Sequence, residues 1–416
     1  MRDNSQFFAP AQINSWRTAA LGIGGVLTLV VLGAALFFPE YREQALRSWL
    51  LGFIFWAGIG IGCIGVLMLQ YLTGGAWGVV IRRTLEAGMR TLPVIVALFI
   101  PLALGTVFRA YQEWTRLPAD DHVLEHRGMY MTVEWWVIRA VLYFILWGVM
   151  VYLLDGWSRK QDAAGNMEES AKALGDATAF SGPAMVFYVL IITFATVDWV
   201  MMLEPHWFST IWGLLFVAGW GLSCYCFVVA LLAWMSDKAP MNRVLGTRHF
   251  HDLGKLMLAL VMVWAYFNFS QFLIIYSGNL PEETRWYLPR IKGAWGVIGI
   301  LLIVFHFAFP FLVLLQQDFK RKAKWLATLA IFILLMRLVD MYYLIGPSPR
   351  IGAHEGVIEH GTRLDFFAGF SWLDIAAPIA VGGLWLAYFF WELGKRPLVP
   401  VNDPFLDNAI KHGKGH

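Results

Sequence analysis

Two carboxylates and an imidazole stand close together in the segment TVDWVMMLEPHWFST, residues 196–210. They belong to Asp198, Glu204 and His206, and apolar runs lie on both sides of them. Carboxyl and imidazole groups with shifted pKa values can accept protons and pass them on near neutral pH. Because Pro205 disfavours helical backbone at the residue before it, Glu204 and His206 are expected in a tight turn. The segment is therefore a candidate for proton transfer at the end of a helix.

Four more charged or imidazole side chains lie inside apolar runs: Arg139, His306, Arg337 and Asp340. Such groups are rare and costly within a membrane, so each is a functional candidate. Arg337 and Asp340 are three residues apart, share a helix face and can pair. We hypothesise that these four residues and the three of the opening segment form a polar cluster or proton path. The alternative is that they only hold helices and subunits together.

The chain offers no ligand set for a redox centre. Cys63, Cys224 and Cys226 are scattered through apolar runs, and an iron–sulfur cluster usually needs four ligands. No C-x-x-C-H motif for covalent haem occurs, and His306 has no second histidine at matching depth to complete a haem site. We therefore expect buried thiols, no catalytic residue, and neither metal nor redox cofactor bound by this chain.

Two further motifs resemble a nucleotide-binding site and a metal site, but their sequence context favours structural roles. Gly58 and Gly62 in GIGIGCIG lie inside an apolar run, so close helix contact is favoured over a nucleotide fingerprint. In HFHDLGKL, His249, His251 and Asp252 stand near a helix start. A metal site is conceivable there, but an acidic residue at a helix N-terminus is favoured.

The elements that must position these residues are membrane helices. Of the 416 residues, 58% are hydrophobic and 15% are charged, whereas soluble domains carry about 25% charged residues. A span needs about 20 mostly apolar residues. Ten runs meet this requirement: 18–38, 48–72, 91–110, 133–155, 182–203, 209–235, 254–278, 293–316, 325–346 and 371–393.

The distribution of lysine and arginine predicts the orientation of these spans. The segments on the side of both termini carry 20 of the 32 basic residues, and those on the other side carry 10. The positive-inside rule therefore predicts that both termini lie in the cytoplasm. The segment 196–210 then faces outward, with Asp198 roughly 8 Å and Arg139 about 9 Å from that surface at the helical rise. The chain has no run of basic residues of the kind that binds nucleic acid, so nucleic acid is not expected as a partner.

The predicted fold is an all-α integral membrane protein with ten transmembrane helices, arranged as two inverted four-helix bundles plus two peripheral helices. Residues 1–47 hold the first span, and residues 48–203 form the first bundle with a cytoplasmic loop at 156–181. Residues 204–346 form the second bundle, and residues 347–416 hold the tenth span and a cytoplasmic tail.

Two classes of function fit a polar region displaced towards the outer surface. One is a membrane subunit of a quinol oxidoreductase, in which carboxylates and imidazole carry away the two protons that quinol oxidation releases. Its electrons would leave through the cofactors of partner proteins. The other is a secondary transporter with inverted repeats, a class whose site usually lies near mid-membrane.

Four motifs carry a family resemblance that extends over nearly the whole chain. They are GGAWGVVIRR (74–83), DWVMMLEPHWFSTIWG (198–213), HDLGKLMLALVMVWAYFNFSQF (251–272) and LPEETRWYL (280–288). In this order they resemble the ActF-type membrane subunits of bacterial alternative complex III, which are related to ActC and to the NrfD and polysulfide-reductase membrane subunits.

The resemblance implies a quinol:cytochrome c oxidoreductase complex in the bacterial inner membrane, or one using a similar periplasmic carrier. The implied partners are a multihaem cytochrome c subunit, an iron–sulfur subunit, an ActC-like quinol-binding subunit, small membrane subunits and bilayer lipids. The partners carry the c-type haem and iron–sulfur clusters, and the substrate is a quinol such as menaquinol. The resemblance implies that this chain is a scaffold and a candidate proton path. As an alternative, it implies a second quinone-binding subunit. No quinone-binding residue is assigned.

Overall fold

The computed structural model describes residues 7–118, 120–350 and 369–414 of the chain, and within these ranges it contains helices and no strands. The long helices are α1 (Gln12–Phe37), α2 (Pro39–Thr73), α3 (Ala76–Met89), α4 (Leu92–Val107), α5 (Val133–Ala163), α6 (Met167–Trp199), α7 (Trp212–Met235), α8 (Thr247–Gly278), α9 (Gly293–Leu315, in three consecutive pieces), α10 (Ala323–Ile345), α11 (Leu373–Gly394) and α12 (Leu406–Lys414). Short helical turns lie at Glu113–Arg116, His122–Arg127, Met201–Leu203, Met241–Val244, Pro281–Thr284 and Gln317–Arg321.

The described helices are those of a multi-pass membrane protein. Nine of them are long and apolar enough to span a membrane, and the number rises to ten if α3 and α4 make one span bent by 41°. Large apolar side chains such as Leu29 of α1, Phe269 of α8 and Ile303 of α9 are exposed on the outside of the structure. Aqueous exposure of so much apolar surface is unfavourable, which supports a lipid or protein environment around these helices.

Two segments between predicted spans, 73–90 and 156–181, are mostly helical in the structure. The predicted loop at 156–181 is almost entirely helical, because α5 continues to Ala163 and α6 begins at Met167. Asn166 caps α6 by accepting a hydrogen bond from the N–H of Glu169, at 2.8 Å. The predicted loop at 73–90 contains α3. Both segments are rich in helix-forming residues, and polar side chains do not end a helix once it leaves an apolar layer.

The centre of the structure is α2, which is buried over most of its length. It packs against α1, α4, α6, α7, α10 and α11. A Cβ atom at Gly62 would lie 2.7 Å from the backbone oxygen of Trp220, and one at Gly58 would lie 2.3 Å from the Trp220 ring. The two glycines therefore let α2 and α7 approach closely, as their spacing predicted.

The helix contacts do not divide into two separate groups. Within the first predicted set, α2 contacts α4, α5 and α6, and within the second set α8 contacts α7, α9 and α10. The two sets are also joined directly, because α7 contacts α2 and α6, and α11 packs against α1 and α2. The arrangement as two inverted four-helix bundles with two peripheral helices therefore stays a prediction.

Side-chain contacts join the helix ends on each side of the structure. We call the side that carries Arg47, Asp121, Glu204 and Arg290 the site side. We call the side that carries Asp162, Glu392 and Asp403 the terminal side, because the chain segments next to both termini meet there through the hydrogen bond from the N–H of Leu398 to the oxygen of Phe7.

The helix α9 has an irregular centre. Its middle piece, Leu302–Ala308, is a π-helix and contains His306. Pro310 follows four residues after His306, where its ring is incompatible with the normal helical position of the His306 carbonyl. Insertions of this kind occur mostly as short bulges within α-helices. Pro310 therefore accounts for the irregular helix around His306.

Candidate functional site

The segment that follows α6 makes the turn that Pro205 predicts. The helix ends at Trp199, a short 3-10 turn covers Met201–Leu203, and Glu204 has extended dihedral angles of φ −120° and ψ 83°. The turn separates Asp198, still within α6, from Glu204 and His206 at the site side. Each of these three side chains contacts a different partner.

Asp198 is the centre of a buried polar group between α5 and α6. Its two carboxylate oxygens accept hydrogen bonds from Nε and Nη2 of Arg139, at 2.8 and 2.9 Å. The hydroxyl of Tyr143 donates to the same carboxylate at 2.7 Å. Arg139 also donates to the backbone oxygen of Tyr130 and stacks over its ring. A bidentate arginine–carboxylate pair with further hydrogen bonds holds both charges in place.

Glu204 pairs with an arginine that the sequence reasoning did not single out. Nη2 of Arg290 donates to Glu204 Oε1 at 2.7 Å, and the Ser348 hydroxyl donates to the same oxygen at 3.2 Å. Arg290 is fully buried and also donates to the backbone oxygens of Trp286 and Leu344. The guanidinium therefore ties the turn after α6 to the segment before α9 and to the end of α10.

His206 contacts the loop between α4 and α5. Its Nε2 lies 3.0 Å from Oδ2 of Asp121, and its ring centroid lies 5.5 Å from that of His122. The other Asp121 oxygen accepts from the N–H of Val123 at 2.9 Å. Burial alone would raise the pKa of Asp121. The hydrogen bonds and the neighbouring histidines together lower the pKa by more than burial raises it, so the net pKa is below the usual value. The carboxylate is thus ionised at neutral pH.

A further polar group lies in the second set of helices. Arg337 and Asp340 form the predicted ion pair, and both are buried. The indole of Trp264 donates to Asp340 Oδ2 at 3.1 Å, and its ring centroid lies 4.0 Å from that of His306. His306 is fully buried, and neither ring nitrogen has a hydrogen-bond partner among the described residues.

The seven residues predicted to form one polar cluster are therefore distributed over four groups. Arg139 joins Asp198, and Arg337 joins Asp340 near His306, whereas Glu204 and His206 each pair with a residue outside the predicted set. Their role in proton transfer stays a prediction.

A cavity of about 340 Å³ lies at the site side between these groups. Its lining is mainly apolar and aromatic, with polar groups at the rim: Arg127, Tyr130, Met131, Thr193, Phe194, Val197, Met201, Met202, Glu204, Pro205, Trp207 and Phe208. Phe194 and Phe208 are about half exposed, so the cavity communicates with the surface of the helices. This combination of an apolar body and few polar groups is typical of small-molecule sites.

The terminal side holds a buried charge network that the sequence reasoning missed. Arg82 pairs with Asp403, Arg83 pairs with Asp162 and Glu86, and Arg90 donates to Glu392 at 2.9 Å. Further members are Asp155, Gln161 and Arg396. The basic run in GGAWGVVIRR was the one available signal, and it had been assigned to a loop. The network joins α3 to the tail of the chain.

The remaining sequence candidates have structural partners. Gln271 of α8 accepts from Ser209 and donates to Tyr287, so it links α8 to two connecting segments, whereas Asn268 donates to the backbone of its own helix. Asp252 contacts His412 of α12 at 2.8 Å. The three cysteines are buried free thiols, as predicted, and the sulfur atoms of Cys63 and Cys224 lie 3.4 Å apart.

No known family model matches this chain, and no curated protein matches it either. The resemblance to a family therefore rests on the four motifs, one of which, 198–213, supplies residues that line the cavity.

Proposed function

We propose that this chain is a membrane subunit of a quinol:cytochrome c oxidoreductase complex, or of one that uses a similar periplasmic carrier. In this proposal it is a scaffold for partner subunits that carry c-type haem and iron–sulfur clusters, and it binds no redox cofactor itself. It lies in the inner membrane with both termini in the cytoplasm. The four motifs support this assignment, and the multi-pass helical structure is compatible with it.

The observation that carries the proposal is the cavity at the site side. Its volume of about 340 Å³ falls at the lower end of the range for small-molecule sites, which is about 300–1,000 Å³. The half-exposed ring of Phe194 borders its opening towards the surface of α6. An apolar ring substrate with a lipid tail can enter such an opening from the bilayer, while Arg127, Tyr130 and Glu204 offer polar contacts to its oxygen atoms.

The same cavity adjoins two of the carboxylate groups described above. Glu204 is part of its lining, and Tyr130, also in the lining, accepts a hydrogen bond from Arg139, the partner of Asp198. Quinol oxidation releases protons as well as electrons, so carboxylates next to the bound ring are suitable proton acceptors. This arrangement supports a proton path from the cavity to the site side.

Two substitutions on one helix face test the cavity. Val197→Trp places an indole in the cavity, whereas Val186→Trp, eleven residues earlier on the same face of α6, places one on an exposed surface. We expect the purified complex to contain c-type haem from a partner. We expect Val197→Trp to reduce the rate of quinol oxidation by the complex at least about tenfold, because losing about 1.4 kcal/mol of binding free energy weakens binding tenfold. Val186→Trp should retain activity.

The outcomes separate the parts of this proposal. Purification without any haem-containing partner would contradict membership of the complex. If the complex contains haem but both tryptophan variants oxidise quinol at the same rate, the cavity has no role in quinol oxidation. The proposed scaffold function would then still stand.

The transporter remains a second candidate because of one observation. His306 lies in a π-helical segment beside Trp264 and the Arg337–Asp340 pair, and irregular helices with polar groups mark transporter sites. This reading predicts substrate or ion flux by the isolated chain in vesicles, and loss of that flux in His306→Ala. Absence of any flux, together with co-purifying haem, would reject it.

A further inference from the structure

The loop between α4 and α5 and the turn after α6 bring three metal-binding side chains together. One ligand atom each from Asp121, His122 and His206 lies within 4.8 Å of the other two. Asp121 and His206 come from segments 85 residues apart in sequence, and their side chains are in direct contact at 3.0 Å. Asp121 and His122 are neighbours in the chain, and the fold brings His206 to them.

We propose that Asp121, His122 and His206 form a binding site for a divalent transition-metal ion, with Zn²⁺ as the best-fitting ion. Two imidazoles and one carboxylate are a common ligand set for zinc, which binds nitrogen and oxygen at about 2.0–2.2 Å and usually takes four ligands. A fourth position would be filled by water. Calcium and magnesium prefer oxygen ligands, and the two imidazoles disfavour them.

The surroundings of the three side chains fit a metal site. Asp121 is already oriented, because its Oδ1 accepts from the N–H of Val123 while its Oδ2 faces His206. The carboxylate and the His206 imidazole are mostly shielded from solvent, each with 14% of its side chain exposed. His122 is 78% exposed and can rotate, so the small movement needed to bring all three donor atoms into one coordination sphere meets no packing barrier.

A bound ion would link two segments that border the cavity. Asp121 and His122 begin the short helix His122–Arg127, and Nη1 of Arg127 donates to the oxygen of Pro205, next to His206, at 3.3 Å. Arg127 and Pro205 are part of the cavity lining. The ion would therefore fix the outer wall of the cavity by tying the loop before α5 to the turn after α6. This inference does not depend on what the cavity binds.

The test is a Zn²⁺ titration of the full-length, tag-free protein in detergent against a chromophoric zinc chelator. We expect one zinc equivalent in the wild-type protein that is absent from the double variant His122→Ala, His206→Ala. Asp121→Asn keeps an oxygen for the Val123 N–H but removes the charge. It should weaken binding by at least about tenfold, in line with the losses seen when groups around metal sites are removed.

The matched control is His126→Ala. His126 lies on the same short helix, four residues after His122, and its Nδ1 contacts the backbone oxygen of His122 rather than a carboxylate. This variant should bind zinc as tightly as the wild type. Any zinc bound by the remaining histidines of the chain, which has ten histidines in total, is the same in this variant and in the double variant.

A second measurement guards against misfolding. Because His122 is exposed, His122→Ala alone should leave the unfolding temperature of the zinc-free protein unchanged while removing the increase that Zn²⁺ produces in the wild type. Equal zinc stoichiometry and affinity in wild type and double variant would overturn the proposal. So would an equal loss of binding in His126→Ala and His122→Ala.

Discussion

The carboxylate of Asp198 is held from several directions near the site-side end of α6. Arg139 contributes a bidentate contact from α5, and Tyr143 adds a hydroxyl donor from the same helix. The Trp136 indole donates to the Asp198 backbone oxygen at 2.9 Å. A group with this many partners is well placed to stabilise the packing of α5 on α6, whatever part it takes in proton transfer.

Replacement of Asp198 separates these two roles. Asp198→Asn leaves the Arg139 charge without its counterion, and breaking such a pair should lower the free energy of unfolding by about 3 kcal/mol. The double variant Arg139→Met, Asp198→Asn should be more stable than the single one, because no unpaired charge remains. Thermal unfolding in detergent checks both expectations, and a double variant less stable than the single one would contradict them.

Tyr111 gives the loop after α4 a defined sensitivity to alkaline pH. Its hydroxyl is buried and accepts hydrogen bonds from Gln112 and Thr106, at 2.7 and 3.4 Å. Burial raises the pKa of Tyr111 to about 12, above about 10 for an exposed tyrosine. Because the folded state holds the proton more tightly, this contribution to stability is complete below about pH 10 and is lost as the pH rises towards 12.

The prediction compares wild type with Tyr111→Phe at two pH values. Between pH 9 and pH 11, approximately, the wild type should lose more stability than the variant, because only the wild type has this group to ionise on unfolding. Thermal unfolding in the same detergent provides the measurement. An identical pH dependence in the two proteins would show that Tyr111 is not protected as its burial implies.

At the scale of helices, the contact of α2 with α7 depends on the absence of side chains. A Cβ atom at Gly62 would lie 2.7 Å from Trp220 O and 2.9 Å from Cys224 Cβ, so the backbones themselves would have to separate. By contrast, a Cβ atom at Gly25 in α1 would have no atom within 4 Å. Both glycines lie in the middle of a helix, but only Gly62 is tightly packed against a neighbouring helix.

Alanine substitutions at these two glycines should have opposite effects. Gly62→Ala should destabilise the protein by about 1–3 kcal/mol through overpacking. Gly25→Ala should be neutral or stabilising by up to about 1 kcal/mol, because alanine favours helix. Unfolding temperatures measured side by side test the difference. If Gly62→Ala were as stable as Gly25→Ala, α2 and α7 would not be in backbone contact.

Local patterns in the sequence were sufficient for several features of these helices. Apolar run length predicted the nine described helices that are long enough to span a membrane, and the Pro205 rule predicted the turn. The spacing of Arg337 and Asp340 predicted their ion pair. Each of these depends on residues close together in the chain. The partners of Glu204 and His206 are Arg290 and Asp121, 86 and 85 residues away. No periodicity specifies which distant charge a side chain meets, so these pairs required the fold.

The same limit explains the missed charge network on the terminal side. Arg82 and Arg83 looked like loop residues because charged side chains usually mark the end of a span. In the structure they are buried, because Asp403 from the chain's tail and Asp162 from the end of α5 neutralise them. Burial of these arginines is favourable only because of tertiary contacts, with the tail for Arg82 and with α5 for Arg83.

For the molecule as a whole, this burial bears on the predicted orientation. Arg82, Arg83 and Arg90 are three of the 20 basic residues counted on the terminal side, and all three are engaged in ion pairs. The remaining 17 still outnumber the 10 on the site side. The positive-inside bias therefore still predicts that the terminal side faces the cytoplasm.

Cysteine labelling tests this orientation directly. Met129 at the site side is 73% exposed, and Met167 at the start of α6 is also exposed, while the native cysteines are buried. With a membrane-impermeant maleimide, Met129→Cys should react in intact cells and Met167→Cys only after permeabilisation. The parent protein is the unlabelled control. The reverse pattern would place the site side in the cytoplasm, where a periplasmic electron carrier cannot reach a partner docked on it, and would contradict the proposed complex. Labelling of both cysteines from one side would contradict the membrane crossing of α5, because Met129 and Met167 lie at its two ends.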